Sequence, residues 1–345
     1  MTVLSVLDQS PIREGGTASD AIHQTLDLAG HAERLGYYRY WVAEHHSSPG
    51  LAGTAPEILA GQIAARTDTI RVGSGGVMLS HYSAFKVAEN FRLLETLYPG
   101  RIDLGVGRAP GAEGKAIAAL GLGVGQEHFS DQLADLIDFL GATVAQDHPM
   151  AGLITNPAGP TVPKIWLLGS SDQSAALAAH FGKPFSFAHF IVGEGGPQVM
   201  AAYRKYFKPS PDTAEPQGSM GVHVICADTE KDAERLARSR DLWWQRLEQG
   251  RPTPVPSVET ALAHRYSEDE RRRIAFHRQR QVIGAPEQVR DKLLALGEAY
   301  GVDEFVVLTV VHDAAARLRS YELLAEVMEI APRPSSQGAS PQGTR

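Results

Sequence analysis

The sequence predicts a (β/α)₈ barrel, in which eight parallel strands form a closed cylinder surrounded by helices, with insertions after the fourth and seventh strands. Strand-like and helical segments alternate eight times between residues 3 and 329 of the 345-residue chain. Such alternation produces a parallel sheet, because a helix must carry the chain back between parallel strands. The pattern alone leaves an open sheet of seven or nine strands as an alternative.

The predicted strands are short runs in which residues are apolar or alternate between apolar and polar. They cover residues 3–7, 37–42, 70–72, 102–106, 164–168, 184–188, 220–227 and 304–311. The predicted helices repeat apolar residues at a spacing of three and four. They cover residues 17–35, 56–66, 85–97, 128–140, 172–181, 197–206, 229–244, 284–296 and 315–329. Thr17 and Asp20 form a capping pair at the start of the first helix, and Gly36 ends that helix.

We expect a single barrel domain over residues 1–331. Residues 109–129 form a long loop after the fourth strand that is rich in glycine, alanine and short helical pieces. Residues 249–281 contain three prolines and a charged run, and we interpret them as a lid that crosses the top of the barrel. Within that lid, residues 268–273 are predicted to be a solvated helix face. The Pro-, Ser- and Gly-rich residues 332–345 are predicted to be disordered.

The composition argues against several functional classes. A net charge of −7 provides no basic surface for nucleic acid. The single cysteine, Cys226, excludes an internal disulfide and a cysteine-based metal cluster, and its apolar neighbours indicate a buried thiol. No apolar run approaches the roughly 20 residues of a membrane span, and no signal sequence precedes the first strand. We therefore expect a soluble cytoplasmic protein.

Two unusual features follow the C-terminal ends of neighbouring predicted strands. Gly73, Gly75 and Gly76 crowd the end of the third strand, and Arg108 follows the fourth strand. Ligands bind at this end of the strands in parallel α/β folds. The glycines indicate either a bulge or tight turn, or a flat backbone surface against a ligand ring. Arg108 could pair with a phosphate group through two nitrogens of its guanidinium.

The segment Gly169–Asp172 joins the fifth predicted strand to a helix. Free backbone N–H groups and the hydroxyls of Ser170 and Ser171 could form an anion site at this helix start. Simple capping of the helix by Ser171 or Asp172 accounts for the same residues. Arg108 favours the phosphate interpretation if the arginine and this loop meet across the barrel mouth.

Two adjacent histidines, His45 and His46, follow Glu44 at the end of the second predicted strand. Adjacent residues of a strand point to opposite faces, so the two rings would not easily bind one metal ion. One of them is expected to face the barrel mouth, where a histidine can act as an acid or base near neutral pH. The alternative is a histidine that braces a loop by hydrogen bonding.

The glycine-rich segments do not form a nucleotide-binding fingerprint. Gly105–Pro110 has proline where the third glycine of a dinucleotide motif belongs, and Gly121–Gly125 follows no predicted strand. Neither segment continues into the Gly-Lys-Ser/Thr of a P-loop. The chain therefore carries no predicted site for a nicotinamide dinucleotide.

Six segments that run in order along nearly the whole chain match one family. They are Trp41–His46, Val72–Leu79, Ala88–Glu89, Pro99–Gly111, Ile165–Ser171 and Arg317–Tyr321. Each segment is weakly specific, but together they resemble the luciferase-like flavin-dependent monooxygenases, which are related to bacterial luciferase. The resemblance implies a TIM-barrel subunit that binds reduced FMN and activates O₂ to oxygenate a small organic substrate. A separate NAD(P)H:flavin reductase would supply the reduced FMN.

The resemblance also implies roles for individual residues. Gly75 and Gly76 match a non-prolyl cis peptide beside the flavin ring. His45 matches a histidine assigned acid–base work near that ring. Phosphate binding is implied for Arg108, Gly169, Ser170 and Ser171. The family often dimerises through its second and third helices, so we expect a homodimer.

Three alternatives to an FMN-dependent monooxygenase stay open. Some members of the family use the deazaflavin F420, whose charged tail would favour more cationic residues than Arg108 alone. Other relatives bind flavin without known catalysis. A metal-dependent barrel hydrolase would use His45 and His46, although the His-x-His pair expected after the first strand is absent. The segment Leu79–Tyr82 replaces a Leu-Pro found in many members and borders the substrate side, so the resemblance does not imply a substrate.

Overall fold

The computed structural model describes residues 2–109, 111–112, 114–121, 126–141, 144 and 146–332. Nine strands lie within these ranges. They are β1 Val3–Asp8, β2 Arg39–Val42, β3 Arg71–Met78, β4 Ile102–Gly107, β5 Lys164–Gly169, β6 Phe185–Ala188, β7 Gly218–Cys226, β8 Gln281–Gly284 and β9 Glu304–Leu308.

Twelve α-helices lie within the same described ranges. They are α1 Ala18–Leu35, α2 Pro56–Ala64, α3 Ala84–Leu97, α4 Lys115–Leu120, α5 Phe129–Leu140, α6 Asp172–His180, α7 Gly196–Tyr206, α8 Glu230–Glu248, α9 Val258–Ala263, α10 Glu268–Arg278, α11 Pro286–Tyr300 and α12 Ala314–Val327. The predicted capping pair is confirmed at α1, where the Thr17 hydroxyl accepts from Asp20 N–H and the Asp20 carboxylate accepts from Thr17 N–H. Gly36 follows α1 in the left-handed conformation, with φ of 95°.

Eight of the strands close into a barrel. They pair in parallel in the order β1 to β7 and then β9, which returns to β1, and the β6–β7 pairing completes the ring. This closure confirms the predicted (β/α)₈ barrel and excludes the open sheet. The insertions also follow β4 and β7, as predicted.

One strand was not predicted. β8 lies outside the ring of eight and pairs with the C-terminal half of β7, where His223 lies opposite Gln281. The sequence analysis had assigned its first residue to the lid and its last to the following helix. The run of only four residues follows a charged helix directly, so periodicity could not separate it from its neighbours.

Side chains that point out of the barrel pack under the helices, and side chains that point inward form a separate apolar cluster. The outer cluster includes Val6, Val42 and Leu104. The inner cluster includes Trp41 and Trp166, whose ring centroids lie 5.3 Å apart. Apolar side chains therefore fill the middle of the barrel interior.

Charged side chains close the N-terminal end of the barrel. Arg39 donates to the carboxylates of Asp103 and Glu304, each at 2.6 Å. Arg71 also donates to Asp103, at 2.6 Å. Burial alone would raise the pKa of Asp103, but the two arginines hold it below its ordinary value. This network leaves the opposite end of the barrel for a ligand.

The segment interpreted as a lid contains α9 and α10. Val255 forms an isolated bridge with Arg13, in the loop after β1, and the Trp243 ring N–H donates to the Thr253 carbonyl at 3.0 Å. The charged run 268–273 lies on α10 with its side chains mostly exposed, as predicted.

Two further predictions concern the core and the C-terminal tail. Cys226 is buried and unbonded, as predicted. Of the predicted disordered tail, residues 333–345 lie outside the described residues. Over the described part of the chain, no helix has the length and apolar character needed to cross a membrane.

Candidate active site

The C-terminal ends of the strands enclose a cavity of about 420 Å³. This volume lies within the range of about 300–1,000 Å³ that is typical of small-molecule sites. All seven residues that the sequence analysis proposed for the site line this cavity. They are His45, Gly75, Gly76, Arg108, Gly169, Ser170 and Ser171. Apolar side chains, including Leu7, Met78, Leu168 and Phe190, supply much of the remaining wall.

Glycines of β3 and β4 form one wall of the cavity. Gly75 and Gly76 lie within β3, which continues past its predicted end at residue 72 to Met78, and Gly107 ends β4. The peptide bond between Gly75 and Gly76 is cis, as the resemblance implies. A Cβ atom would lie 2.9 Å from the Trp41 Cβ if placed at Gly75, and 2.7 Å from the Gly105 carbonyl oxygen if placed at Gly76. A Cβ at Gly107 would meet no heavy atom of the described residues within 4 Å, its two chain neighbours aside. This wall is therefore largely bare backbone.

A set of polar groups lines another part of the cavity, where β5 leads into α6. The Ser171 hydroxyl caps α6, accepting from Ser174 N–H at 3.3 Å. A Cβ at Gly169 would lie 2.5 Å from the Ser174 Cβ, so glycine allows the strand end to approach the helix. The Arg108 guanidinium donates to the side-chain oxygen of Gln173, in the first turn of α6. The arginine and the helix start thus meet at one edge of the cavity, and Ser171 both caps the helix and lines that edge.

His45 lines the cavity from the end of β2. Its backbone N–H donates to the Gly53 carbonyl at 2.8 Å, and its ring Nδ1 is buried without a hydrogen-bond partner among the residues that the structure describes. Burial lowers the pKa of His45 to about 4, and the neighbouring His46 contributes in the same direction. The ring is therefore neutral near pH 7, with one nitrogen able to accept a proton and the other able to donate one.

His46 instead belongs to a polar cluster centred on Glu44, a role that the sequence analysis missed. The fully buried Glu44 carboxylate lies 2.7 Å from His46 Nε2 and accepts from the Tyr82 hydroxyl at 2.6 Å. It also accepts from the backbone N–H of Met78, at 2.9 Å, and so fixes the end of β3 beside the cavity. The sequence signal for this role of Glu44 is the position of a carboxylate directly after an apolar strand.

Within the described ranges, no group of three or more His, Cys, Asp or Glu side chains is arranged to hold a metal ion. His45 and His46 diverge, one towards the cavity and the other towards Glu44. The site instead combines a backbone wall, a neutral imidazole and an edge where Arg108 meets the start of α6. Such a site can hold a planar ring with a phosphate tail.

Comparisons with known proteins agree with this geometry. A family model described as luciferase-like monooxygenase matches residues 2–304. The YwcH protein of Bacillus subtilis is 50% identical over 94% of this chain and 99% of its own length. A protein of the same organism, named N-acetyl-S-alkylcysteine monooxygenase, is 40% identical over 96% of this chain and all of its own. The crystal structure of apo-MsnO8 is 41% identical with a TM-score of 0.90, and covers 96% of this chain and 100% of that one. The chain is therefore an enzyme of the luciferase-like monooxygenase family.

Proposed function

We propose that the protein is the oxygenase component of a two-component, FMN-dependent monooxygenase that oxygenates a small organic substrate. A separate NAD(P)H:flavin reductase supplies reduced FMN. The observation that carries the proposal is one cavity lined by the cis Gly75–Gly76 peptide, by Arg108 and by Ser170 and Ser171. We assign the edge at Arg108 and Ser170–Ser171 to anion binding and call it the anion-binding edge. When bound, reduced flavin supplies the electrons that activate O₂ for transfer of an oxygen atom.

The residues at the anion-binding edge fit the phosphate of FMN. Arg108 is the one lysine or arginine among the described residues that line the cavity. It stands beside the start of α6, where backbone N–H groups and the partial positive charge of the helix favour an anion. A single phosphate group matches this set of donors. The longer, multiply charged tail of F420 would call for further cations, so we favour FMN.

The glycine wall fits the flavin ring. Larger side chains at Gly75 and Gly76 would collide with Trp41 and with the backbone of Gly105. A Cβ at Gly107 would enter the open space of the cavity. Glycine at these positions thus leaves a surface against which a planar ring can lie.

We assign the proton-handling role to His45. Its ring is neutral because burial disfavours the imidazolium, and no described residue bonds to its Nδ1. A neutral imidazole facing the reacting atoms can accept a proton from one group and return it to another. His46 is held by Glu44 and serves to support the wall.

The lid would limit contact between the reaction and bulk water. Its Val255 is fully buried and packs in the same apolar cluster as Leu7 and Trp41, both of which extend into the barrel. Water that reaches a reactive oxygenating species leads to unproductive hydrolysis or release, so exclusion of water favours oxygen transfer.

The proposed homodimer would form through α2 and α3. These helices expose Ile58, Leu93 and Leu97, which are large apolar side chains. Apolar side chains grouped on a surface mark interaction sites. Sedimentation of the wild type and of L93E/L97E tests this assignment, with a dimer expected for the first and a monomer for the second. A wild-type monomer would contradict it.

Isotope labelling with ¹⁸O₂ tests the proposed activity. The protein, FMN, NADH and a flavin reductase are incubated with a panel of small organic compounds. The panel includes N-acetyl-S-alkylcysteines, because a relative that is 40% identical is named for them. We expect one labelled oxygen atom in the product of at least one compound, and no product without FMN. Oxygen consumption that yields only hydrogen peroxide throughout would indicate a flavin-binding protein without oxygenase activity.

A further inference from the structure

Small residues occupy four inward-facing positions of β6 and β7. They are Ser186, Ala188, Ser219 and Gly221. Phe187 and Met220 pack in the outer cluster, so the alternation of a strand places their neighbours inside the barrel. Bulky branched side chains usually fill the interior of such a barrel. The small residues therefore leave the core incomplete on the side of β6 and β7.

A recess of about 40 Å³ lies at this incomplete part of the core. Gly75 and Phe190 are among the residues that line both the recess and the larger cavity described above. Ser186 and Val306 line the recess but not the larger cavity, and Val306 lies opposite Gly221 where β9 pairs with β7. The recess therefore extends from the larger cavity into the barrel interior.

The size and the lining of the recess decide what it can hold. Its volume exceeds the about 10–15 Å³ that one water molecule needs and is far below the about 150 Å³ of a cavity that binds benzene. The Trp41 ring N–H donates to Asp103 at 3.0 Å, which leaves the Ser186 hydroxyl as the one polar side-chain group that the described lining residues can offer. Backbone groups of β6 and β7 are engaged in the sheet. A buried water molecule needs two to four polar partners, so the recess suits a small apolar molecule better than water.

Dioxygen matches a space of this size and polarity. The family to which the chain belongs consists of monooxygenases, which consume O₂. O₂ is small and nonpolar, and the transfer of an apolar molecule from water into apolar surroundings is favourable. A Cβ at Gly75 would lie 2.6 Å from the Leu7 Cδ1, so only bare backbone fits at this position. The recess thus begins directly beside the wall to which we assign the flavin ring.

We propose that the recess binds O₂ and holds it beside Gly75 until it reacts with the reduced flavin. The inference rests on the proposed function, because that function places reduced flavin against the Gly75–Gly76 wall. A volume of about 40 Å³ admits only a few heavy atoms, so the larger cavity remains for the flavin and the organic substrate.

Noble gases test the recess without any cofactor. Crystals of the wild-type protein are pressurised with xenon or with the smaller krypton, which are nonpolar probes of apolar cavities. We expect gas density in the recess, in contact with Ala188 and Val306. Ordered water in the recess under gas pressure, or density for neither gas there, would overturn the proposal.

Two matched variants test whether the empty space itself matters. V306I adds one methylene group to a residue that lines the recess, and V310I adds one to a fully buried residue of the inner cluster that lines neither space. V306I should lose the gas site and melt at or above the wild-type temperature, because the added group fills a void. V310I should keep the gas site and melt lower, because it overpacks a filled region. Gas density retained in V306I, or a melting temperature of V306I below that of V310I, would overturn the proposal.

The reaction of O₂ with the reduced, FMN-loaded protein tests the role of the recess in turnover. Stopped-flow rates for V306I should fall by at least about threefold relative to V310I, because one methylene group takes space that O₂ needs. Equal rates in the two variants would overturn the proposal, even if FMN binds both tightly. Failure of the wild type to bind FMN would contradict the proposed function instead, and the gas density would then decide for or against the recess.

Discussion

The guanidinium of Arg108 donates a hydrogen bond to the side-chain oxygen of Gln173, which joins the end of β4 to the first turn of α6. The two residues are far apart in sequence, yet together they define one edge of the cavity. In the proposed complex, Arg108 would exchange this neutral partner for the phosphate of FMN. The contact with Gln173 would hold the arginine in place before the cofactor arrives.

The first prediction concerns the phosphate. R108A should weaken FMN binding by about 10- to 100-fold, as expected for loss of a charge-assisted hydrogen bond. Riboflavin, which lacks the phosphate, should bind the variant and the wild type equally well. Fluorescence titration measures both ligands. An equal loss of affinity for FMN and riboflavin would show that Arg108 shapes the cavity rather than binding the phosphate.

The second prediction concerns the glycine wall. G107V should abolish FMN binding, because the new side chain would enter space that is empty in the structure. Its melting temperature should stay near that of the wild type, since a Cβ at residue 107 meets no described atom within 4 Å beyond its chain neighbours. G107A should give an intermediate loss. FMN binding by G107V at wild-type affinity would place the flavin elsewhere.

The third prediction separates binding from turnover at His45. H45A should bind FMN with nearly wild-type affinity but lose oxygenation of the substrate, because proton transfer typically contributes about 10²- to 10⁴-fold to a rate. The comparison requires binding and single-turnover measurements on the same preparation. Unchanged product formation by H45A would remove His45 from the mechanism.

The fourth prediction concerns pH and stability. His45 has an ordinary pKa of 6.5 that burial lowers to about 4, so the unfolded chain binds its proton more readily than the folded protein does. Its contribution to stability is therefore present above pH 6.5 and is lost as the pH falls towards 4. His189, whose pKa burial also lowers to about 4, acts in the same direction. Denaturant titrations of H45Q should show a shallower loss of stability over this range; a slope equal to that of the wild type would contradict the neutral, buried state of His45.

The fifth prediction tests the cluster around Glu44. E44A would leave the Met78 N–H and the Tyr82 hydroxyl without their acceptor, at a cost on the order of 3 kcal/mol of unfolding free energy. E259A removes an exposed carboxylate paired with Arg235 and should cost less than about 1 kcal/mol. Urea denaturation compares the two variants. Similar small effects would mean that Glu44 does not anchor the end of β3.

Much of this arrangement could be predicted because residues after the C-terminal ends of parallel strands share one end of the fold. Gly75, Gly76 and Arg108 were singled out on that basis, and the closed barrel brings them to one cavity with Ser170 and Ser171. The sequence alone could not decide whether Ser171 caps a helix or faces a ligand. In the structure it caps α6 and also lines the cavity.

The missed features depend on contacts that periodicity does not report. β8 has only four residues and is held in the sheet by its pairing with β7. Glu44 anchors the end of β3 through hydrogen bonds from the Met78 N–H, in β3, and from the Tyr82 hydroxyl, in the segment after it.

A crystal structure of the protein with FMN tests the central claim most directly. We expect the isoalloxazine ring to lie against the Gly75–Gly76 peptide, with the phosphate within hydrogen-bond distance of Arg108 and of the Ser170–Ser171 segment. A phosphate bound away from Arg108, or a flavin bound outside the cavity at the C-terminal ends of the strands, would contradict it.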